Sequence, residues 1–244
     1  MGQAVLFSLI ASSALVLGGV LGAYWRPPTQ VTGVLLAFAS GALISALCFE
    51  LFPEAFELGG AWRSGLGLLA GGTTFVLANA ALDRWMAGSA KPEQREKVQR
   101  GASGGVGWAL LAAVTLDGVP ENIALGVSLV EEASYTLLLA IFVSNLPESL
   151  VGAVAMRDEG RPPREAILVW VLCAALLAVA VVAGRALFAG ADEGLLAVCL
   201  AFAGGAVLAS LADTLMPEAF EHGRPYNSFA TAAGFFLSFM LAAG

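Results

Sequence analysis

Residues 36–60 read LAFASGALISALCFELFPEAFELGG, and residues 200–224 read LAFAGGAVLASLADTLMPEAFEHGR. Without a gap, 14 of these 25 positions are identical, and the two stretches lie 164 residues apart. The same offset places the apolar stretch before the first copy on the one before the second, and likewise for the apolar stretches that follow. The sequence therefore predicts two copies of one three-helix unit, one in each end of the chain.

The composition is that of a membrane protein. Of 244 residues, 58% are hydrophobic and only 13% are charged, with a net charge of −7, whereas roughly 25% of an average soluble domain is charged. So little polar surface argues against a soluble enzyme and a disordered chain, and no basic patch suits nucleic acid. Long apolar runs also differ from the alternating strands of about ten residues that build outer-membrane barrels.

Apolar runs of about 20 residues are long enough to cross the hydrocarbon core of a bilayer as helices. The fold class predicted from them is all-α and polytopic, with eight transmembrane helices in one transporter domain over residues 1–244. A loop over 87–102 separates the third span from the fourth. The predicted spans are 3–23, 31–52, 64–86, 104–130, 134–156, 165–188, 194–216 and 227–243.

Basic residues indicate the orientation of these spans. Ten Lys and Arg residues lie in the connections after spans one, three, five and seven, and two lie on the other side. The positive-inside rule then predicts a multi-pass protein of the bacterial inner-membrane type, with the 87–102 loop in the cytoplasm and both termini outside it. All five tryptophans lie near predicted helix ends, as aromatic residues at a membrane interface do.

The central helices carry a second similarity. Residues 117–122 read DGVPEN in span four, and residues 144–149 read SNLPES in span five. Consecutive spans run in opposite directions, and the two copies of the long repeat are five spans apart. Both similarities therefore predict units related by inversion, in an arrangement of three, two and three helices. Inverted repeats are typical of transporters whose substrate site lies near the bilayer midplane.

The central motifs place three carboxylates in mid-membrane, where a charged group costs several kcal/mol and marks a site or pathway. Asp117 and Glu121 share one helix face, and Glu148 lies in the next span. Pro120 and Pro147 each free a backbone carbonyl one turn earlier. Such an oxygen-rich, negative cage suits a divalent cation; a proton relay along the carboxylates is the alternative. The predicted metal ligands are Asp117, Glu121, Asn122, Ser144, Asn145 and Glu148.

These motifs resemble the ZIP (Zrt-/Irt-like protein) family of divalent-metal transporters, whose fourth helix carries His-Asn-x-Pro-Glu-Gly and whose fifth carries His-x-x-Pro-Glu. The resemblance extends along the chain to Leu-Phe-Pro-Glu-Ala and Leu-Met-Pro-Glu-Ala at the ends of spans two and seven. It implies metal ligation by Glu121 and Glu148, with Asp117 at the place of the fourth-helix histidine and Ser144 at the first ligand position of the fifth.

The sequence also departs from the family pattern. Gly118 replaces the asparagine after the fourth-helix histidine, no carboxylate lies between Ile167 and Phe188 of span six, and His222 is the only histidine in the chain. A single cation in an all-oxygen site is therefore predicted. Oxygen ligands favour manganese or iron(II), or a broad selectivity, without excluding zinc.

The predicted function is transport of zinc, iron(II), manganese or a similar cation, toward the cytoplasm and by alternating access. A metal-binding protein without net transport is the alternative, and an intramembrane hydrolase lacks a catalytic pair. The expected partners are the divalent cation, as substrate, and the lipid bilayer, and a homodimer is possible. We expect no enzymatic activity, no organic cofactor and no binding of nucleic acid. Polar residues predicted along the cation pathway, or as plain helix caps, are Glu50, Asp213, Glu54, Glu218, Glu221 and His222.

Overall fold

A computed structural model describes residues 1–89, 106–131 and 133–243, and every regular element in these ranges is helical. Most of the predicted 87–102 loop lies outside them; α3 itself extends to Ser89, beyond the predicted start of that loop. The helices are α1 Gly2–Tyr24, α2 Thr29–Ala46, α3 Phe52–Ser89, α4 Val106–Glu131, α5 Tyr135–Asp158, α6 Pro163–Phe188, α7 Glu193–Ser210, α8 Met216–Gly223 and α9 Asn227–Ala242.

Local chemistry accounts for where several helices begin and end. The Ser134 hydroxyl accepts a hydrogen bond from the Leu137 amide at 3.0 Å and caps α5, and Asp192 caps α7 in the same way at 3.1 Å from the Leu195 amide. Pro163 begins α6, where its missing amide hydrogen costs nothing. Gly60 interrupts α3 with φ 66° and ψ 178°, a conformation that is almost confined to glycine.

A π-helical segment follows α2 at Leu47–Leu51, and another follows α7 at Leu211–Leu215. We call them the first and second π segments. Their bounds differ by 164 residues, as do those of α2 and α7, so the sequence offset reappears in the helix boundaries. The predicted ends of spans two and seven, at 52 and 216, are too early. The chain stays helical as far as Gly60 in one unit and Gly223 in the other.

The packing of the helices is unchanged when the two repeats are exchanged. The exchange swaps α1 with α6, α2 with α7, α3 with α9, and α4 with α5. The main helix contacts therefore have counterparts under this exchange. Helix α3 contacts α7 as α9 contacts α2, α1 contacts α5 as α6 contacts α4, and α2 contacts α5 as α7 contacts α4. The α1–α6 and α4–α5 contacts map onto themselves.

Glycines allow close approach within these pairs and reveal the direction of each helix. Gly18 lies against Leu146 and Gly22 against Leu150, so α1 and α5 run parallel. The pairs α4–α6, α2–α9 and α3–α7 are parallel by the same test. For α4–α6 the contacts join Gly118 to Leu177 and Gly126 to Val181, and for α3–α7 they join Gly67 to Val198 and Gly71 to Phe202. For α2–α9, Gly33 meets Gly223, which lies beside Asn227 at the start of α9, and Gly41 meets Thr231.

Five helical stretches are long and apolar enough to cross a membrane, judged by length and composition over the described residues. They are Gly2–Tyr24, Thr29–Leu82, Tyr135–Asp158, Pro163–Phe188 and Glu193–Gly223, and Asn227–Ala242 is a shorter apolar helix. A chain whose regular elements over the described ranges are all helical, with this many candidate spans, is a polytopic membrane protein, as the composition predicts.

Trp170, which lies near a predicted helix end like the other tryptophans, is fully buried among the helices. Its ring packs against Gly19 of α1 and Gly152 of α5, where the missing side chains leave room for an indole. The position of Trp170 near a predicted helix end gives no indication that its ring packs against these two glycines of other helices. Trp62, by contrast, is 84% exposed; the side chains of Trp85 and Trp108 lie outside the described residues.

Candidate metal site

Glu121 of α4 and Glu148 of α5 line the same cavity. The cavity offers about 10 Å³ to the centre of a water-sized sphere, which is close to the room that one small guest requires. Glu121 is only 7% exposed, and Glu148 is half-buried. The other residues that line the cavity come from α2, α7 and the second π segment: Leu43, Val207, Ser210, Leu211 and Leu215.

The two central helices bring these carboxylates together. Pro120 lies within α4 and Pro147 within α5, each directly before its glutamate, and both helices continue through the proline. Because α4 and α5 pack against each other, the two Pro-Glu motifs meet at one cavity. Carboxylates surrounded by leucine and valine are costly as bare anions, so the arrangement is suited to a cation that offsets their charge.

Three predicted ligands, Asn122, Ser144 and Asn145, are buried in the core and do not line this cavity. The Asn122 amide donates to the Gly118 carbonyl at 2.8 Å, and the Ser144 hydroxyl donates to the Ile141 carbonyl at 3.0 Å. Asn145 is 1% exposed. Its Nδ2, like Oδ1 of Asn122, has no hydrogen-bond partner among the described residues.

Asp117, the third predicted carboxylate, lies in α4 one turn before Glu121, and its side chain is outside the described residues. Among the side chains that are described, no group of three or more His, Cys, Asp or Glu residues is close enough to hold a metal ion. The described part of the site is therefore a two-carboxylate cavity.

Two of the predicted pathway residues bind neighbouring helices. Glu50, in the first π segment, accepts a hydrogen bond from the Ser134 hydroxyl at the start of α5. Asp213, in the second π segment, is exposed and accepts from the Asn79 amide of α3 at 2.7 Å. Each carboxylate thus joins a π segment to a second helix, and neither lines the cavity.

The remaining pathway residues lie on the helices that continue from the π segments. Glu54 and Glu218 are half-buried and occupy the same place in the repeat. Glu221 and His222 are exposed, and Nδ1 of His222 lies 3.2 Å from the Glu218 carbonyl. None of these four residues lines the cavity, so the structure places them apart from the two central glutamates.

Ser210 lines the cavity, although no sequence motif pointed to it. It is the last residue of α7 and is 2% exposed. Serine is common in helices rich in small residues, so its presence alone carries little information. The available signal was the repeat itself, because Ser210 occupies the place that Ala46 occupies in the first copy.

Comparison with known proteins finds similarity to a protein that is named as a transporter. No family model matches the chain. It is 27% identical over 232 residues to an Arabidopsis thaliana protein named "putative zinc transporter". The matched region is 93% of this chain but 36% of that protein, so the chain spans about a third of the length of this relative. The relative is named as a transporter, which agrees with the prediction that the chain is not an enzyme.

Proposed function

We propose that this chain is a ZIP-like transporter that moves divalent transition-metal cations across the cytoplasmic membrane, toward the cytoplasm. The observation that carries the proposal is the pairing of Glu121 and Glu148 around one cavity of single-ion size. Two carboxylates from two proline-containing helices can replace part of the hydration shell of a divalent cation. The zinc in the name of the Arabidopsis relative points to the same class of substrate.

The remaining ligands are proposed to be oxygens. Asp117 lies one turn before Glu121 on α4, where an added carboxylate can complete a three-carboxylate site. The Asn122 side-chain oxygen is buried without a hydrogen-bond partner among the described groups, which makes it a further candidate, with Ser144 and Asn145 as supporting polar neighbours. An oxygen-only site accepts manganese and iron(II) alongside zinc.

The helix lengths support eight crossings. A straight helix over Thr29–Leu82, 54 residues, would be about 80 Å long, far more than the roughly 30 Å of a bilayer core. The break at Gly60 divides it into two crossings. The 26 residues of α4 and the 16 of α9 supply two more, and α9 at about 24 Å requires local thinning of the bilayer.

The helix directions support an inverted relation between the repeats. Helix α1 runs parallel to α5, and α4 runs parallel to α6. If α4 and α5 are antiparallel, α1 and α6 are therefore antiparallel as well. These central helices pack together across a connection of three residues, as antiparallel neighbours do. The members α1 and α6 then point in opposite directions, which is the arrangement that inverted-repeat transporters use around a central site.

We propose that transport proceeds by alternating access, which this arrangement supports. The two carboxylates belong to the central pair, while the opposite wall of the cavity belongs to α2, α7 and the second π segment. Movement of a three-helix unit against α4 and α5 would close the cavity on one side and open it on the other. The two units, being alike, offer equivalent closed states on opposite sides of the membrane.

Uptake into proteoliposomes tests the proposed function. Purified protein should accumulate zinc, manganese or iron(II) above empty vesicles, and Glu121→Gln and Glu148→Gln should each reduce the rate to background while eluting as folded protein. Glu57→Gln is the matched control, because Glu57 is exposed and outside the cavity. Metal binding without uptake would favour a binding protein, and proton flux without metal uptake would favour a proton relay. Normal uptake by both central variants would reject the site.

A further inference from the structure

We infer, on the basis of the proposed transport function, that the Ser210 hydroxyl is a ligand of the transported cation and helps to determine which cations are accepted. Seven residues line the cavity, and the polar ones are Glu121, Glu148 and Ser210. Ser210 is 2% exposed, so its hydroxyl serves the interior of the protein rather than the lipid or solvent.

The hydrogen bonds at the start of the second π segment orient this hydroxyl. Thr214 donates its hydroxyl hydrogen to the Ser210 carbonyl at 2.7 Å. The Oγ of Ser210 lies 3.3 Å from Oγ1 of Thr214, and the threonine has no second hydrogen to give. The hydroxyl oxygen of a serine carries two lone pairs in addition to its hydrogen, and lone pairs are what a cation binds.

Ser210 differs from the two glutamates in the element that carries it. Glu121 and Glu148 lie on the central pair, whereas Ser210 ends α7, in one of the two repeated units. Its counterpart in the other unit is Ala46, which is fully buried in the apolar core and has no oxygen to offer. A cation would therefore gain the hydroxyl ligand when α7 lies against the central pair and lose it when that unit moves away.

The chemistry of a hydroxyl predicts its effect on selectivity. Hydroxyl and carboxylate oxygens suit manganese and similarly hard cations, whereas a thiolate at the same place would favour zinc and cadmium. A change confined to Ser210 should therefore alter apparent affinity and metal preference and leave the two carboxylates in place.

The test compares Ser210→Ala and Ser210→Cys with Ser40→Ala, a control in α2 whose serine is equally buried, bonded to the Leu36 carbonyl and absent from the cavity lining. Manganese, zinc and cadmium uptake is measured in proteoliposomes, and equilibrium binding in detergent. We expect S210A to raise KM and the dissociation constant for manganese about tenfold. We expect S210C to shift the cadmium-to-manganese ratio about tenfold toward cadmium.

Wild-type affinity and selectivity in both variants, as in the Ser40→Ala control, would overturn the assignment. If S210A does not fold, Thr214→Val removes the hydroxyl that lies 3.3 Å from Oγ of Ser210 and should weaken manganese binding to a smaller extent. If the wild type binds metal but does not transport it, the proposed function fails, whereas a tenfold loss of binding in S210A would still assign Ser210 to the site.

Discussion

Single side chains in this protein carry two kinds of information, one about chemistry and one about packing. Glu121 and Glu148 are acidic residues at a cavity otherwise lined by leucine, valine and serine, which a stable helix bundle alone would not need. Gly19 and Gly152 are the reverse case, because their missing side chains make room for Trp170. Substitutions of the first kind should change activity, and those of the second kind should change stability.

Asp117→His should shift transport toward zinc. Imidazole binds zinc well, whereas a carboxylate favours harder cations such as manganese. The measurement is the ratio of zinc to manganese uptake when both ions are present, with Glu57→His as the control for an added histidine outside the cavity. An unchanged ratio would mean that Asp117 does not contact the cation.

Gly41→Ala should destabilise the protein through the contact between α2 and α9. A Cβ atom at residue 41 would lie 2.0 Å from the Thr231 carbonyl oxygen, so the two backbones must separate, at a cost of about 1–3 kcal/mol. The thermal unfolding temperature in detergent should fall. Gly65→Ala is the control, since nothing lies within 4 Å of a Cβ there and alanine favours the helix. Equal unfolding temperatures for the two variants would contradict the close packing.

At the scale of the elements, the notable feature is a π-helical segment after α2 and another after α7. Segments of this kind occur frequently at functional sites, and the second one supplies Leu211 and Leu215 to the cavity. The first is tied to the central pair by the hydrogen bond between Ser134 and Glu50. The two repeated units therefore contact the central helices in chemically different ways, although their sequences are similar.

Glu50 and Ser134 should be energetically coupled. A hydrogen bond to a carboxylate contributes about 1.5–3 kcal/mol, and Ser134 also caps α5. The unfolding free energies of Glu50→Ala, Ser134→Ala and the double variant should therefore deviate from additivity by about 1 kcal/mol or more. The same cycle on Glu57 and Ser134 serves as a control. Strict additivity for the first pair would indicate that the first π segment is not held by this bond.

The helix bounds and the residues that line the cavity show how much of the structure could be predicted from the sequence. The repeat predicted matching units, and α2 and α7 have matching bounds because the same residues build the same turns. The helices continue past the predicted span ends at 52 and 216, which were drawn from apolar runs. Pro53 and Pro217 do not end them, because proline is tolerated in a first helical turn. At the site, the Pro-Glu motifs located Glu121 and Glu148, whereas Ser210 depends on how α7 packs, which local sequence does not encode.

At the scale of the whole molecule, the exchange of the two repeats leaves the helix contacts unchanged. We propose that this arrangement gives two states of similar energy, in which each unit takes the conformation of the other. The cavity contacts break this symmetry: α2 contributes Leu43, while α7 and the second π segment contribute four residues. We therefore interpret the structure as one of two such states, with the second unit closed over the carboxylates.

The central claim is that one carboxylate site faces the two sides of the membrane in turn, and counterflow measures this directly. Proteoliposomes are loaded with unlabelled zinc or manganese and diluted into a trace of the radioactive ion. We predict a transient accumulation of label above its equilibrium level, and none with Glu148→Gln. Label that rises only to equilibrium, at a rate independent of the internal metal, would contradict alternating access and indicate a channel.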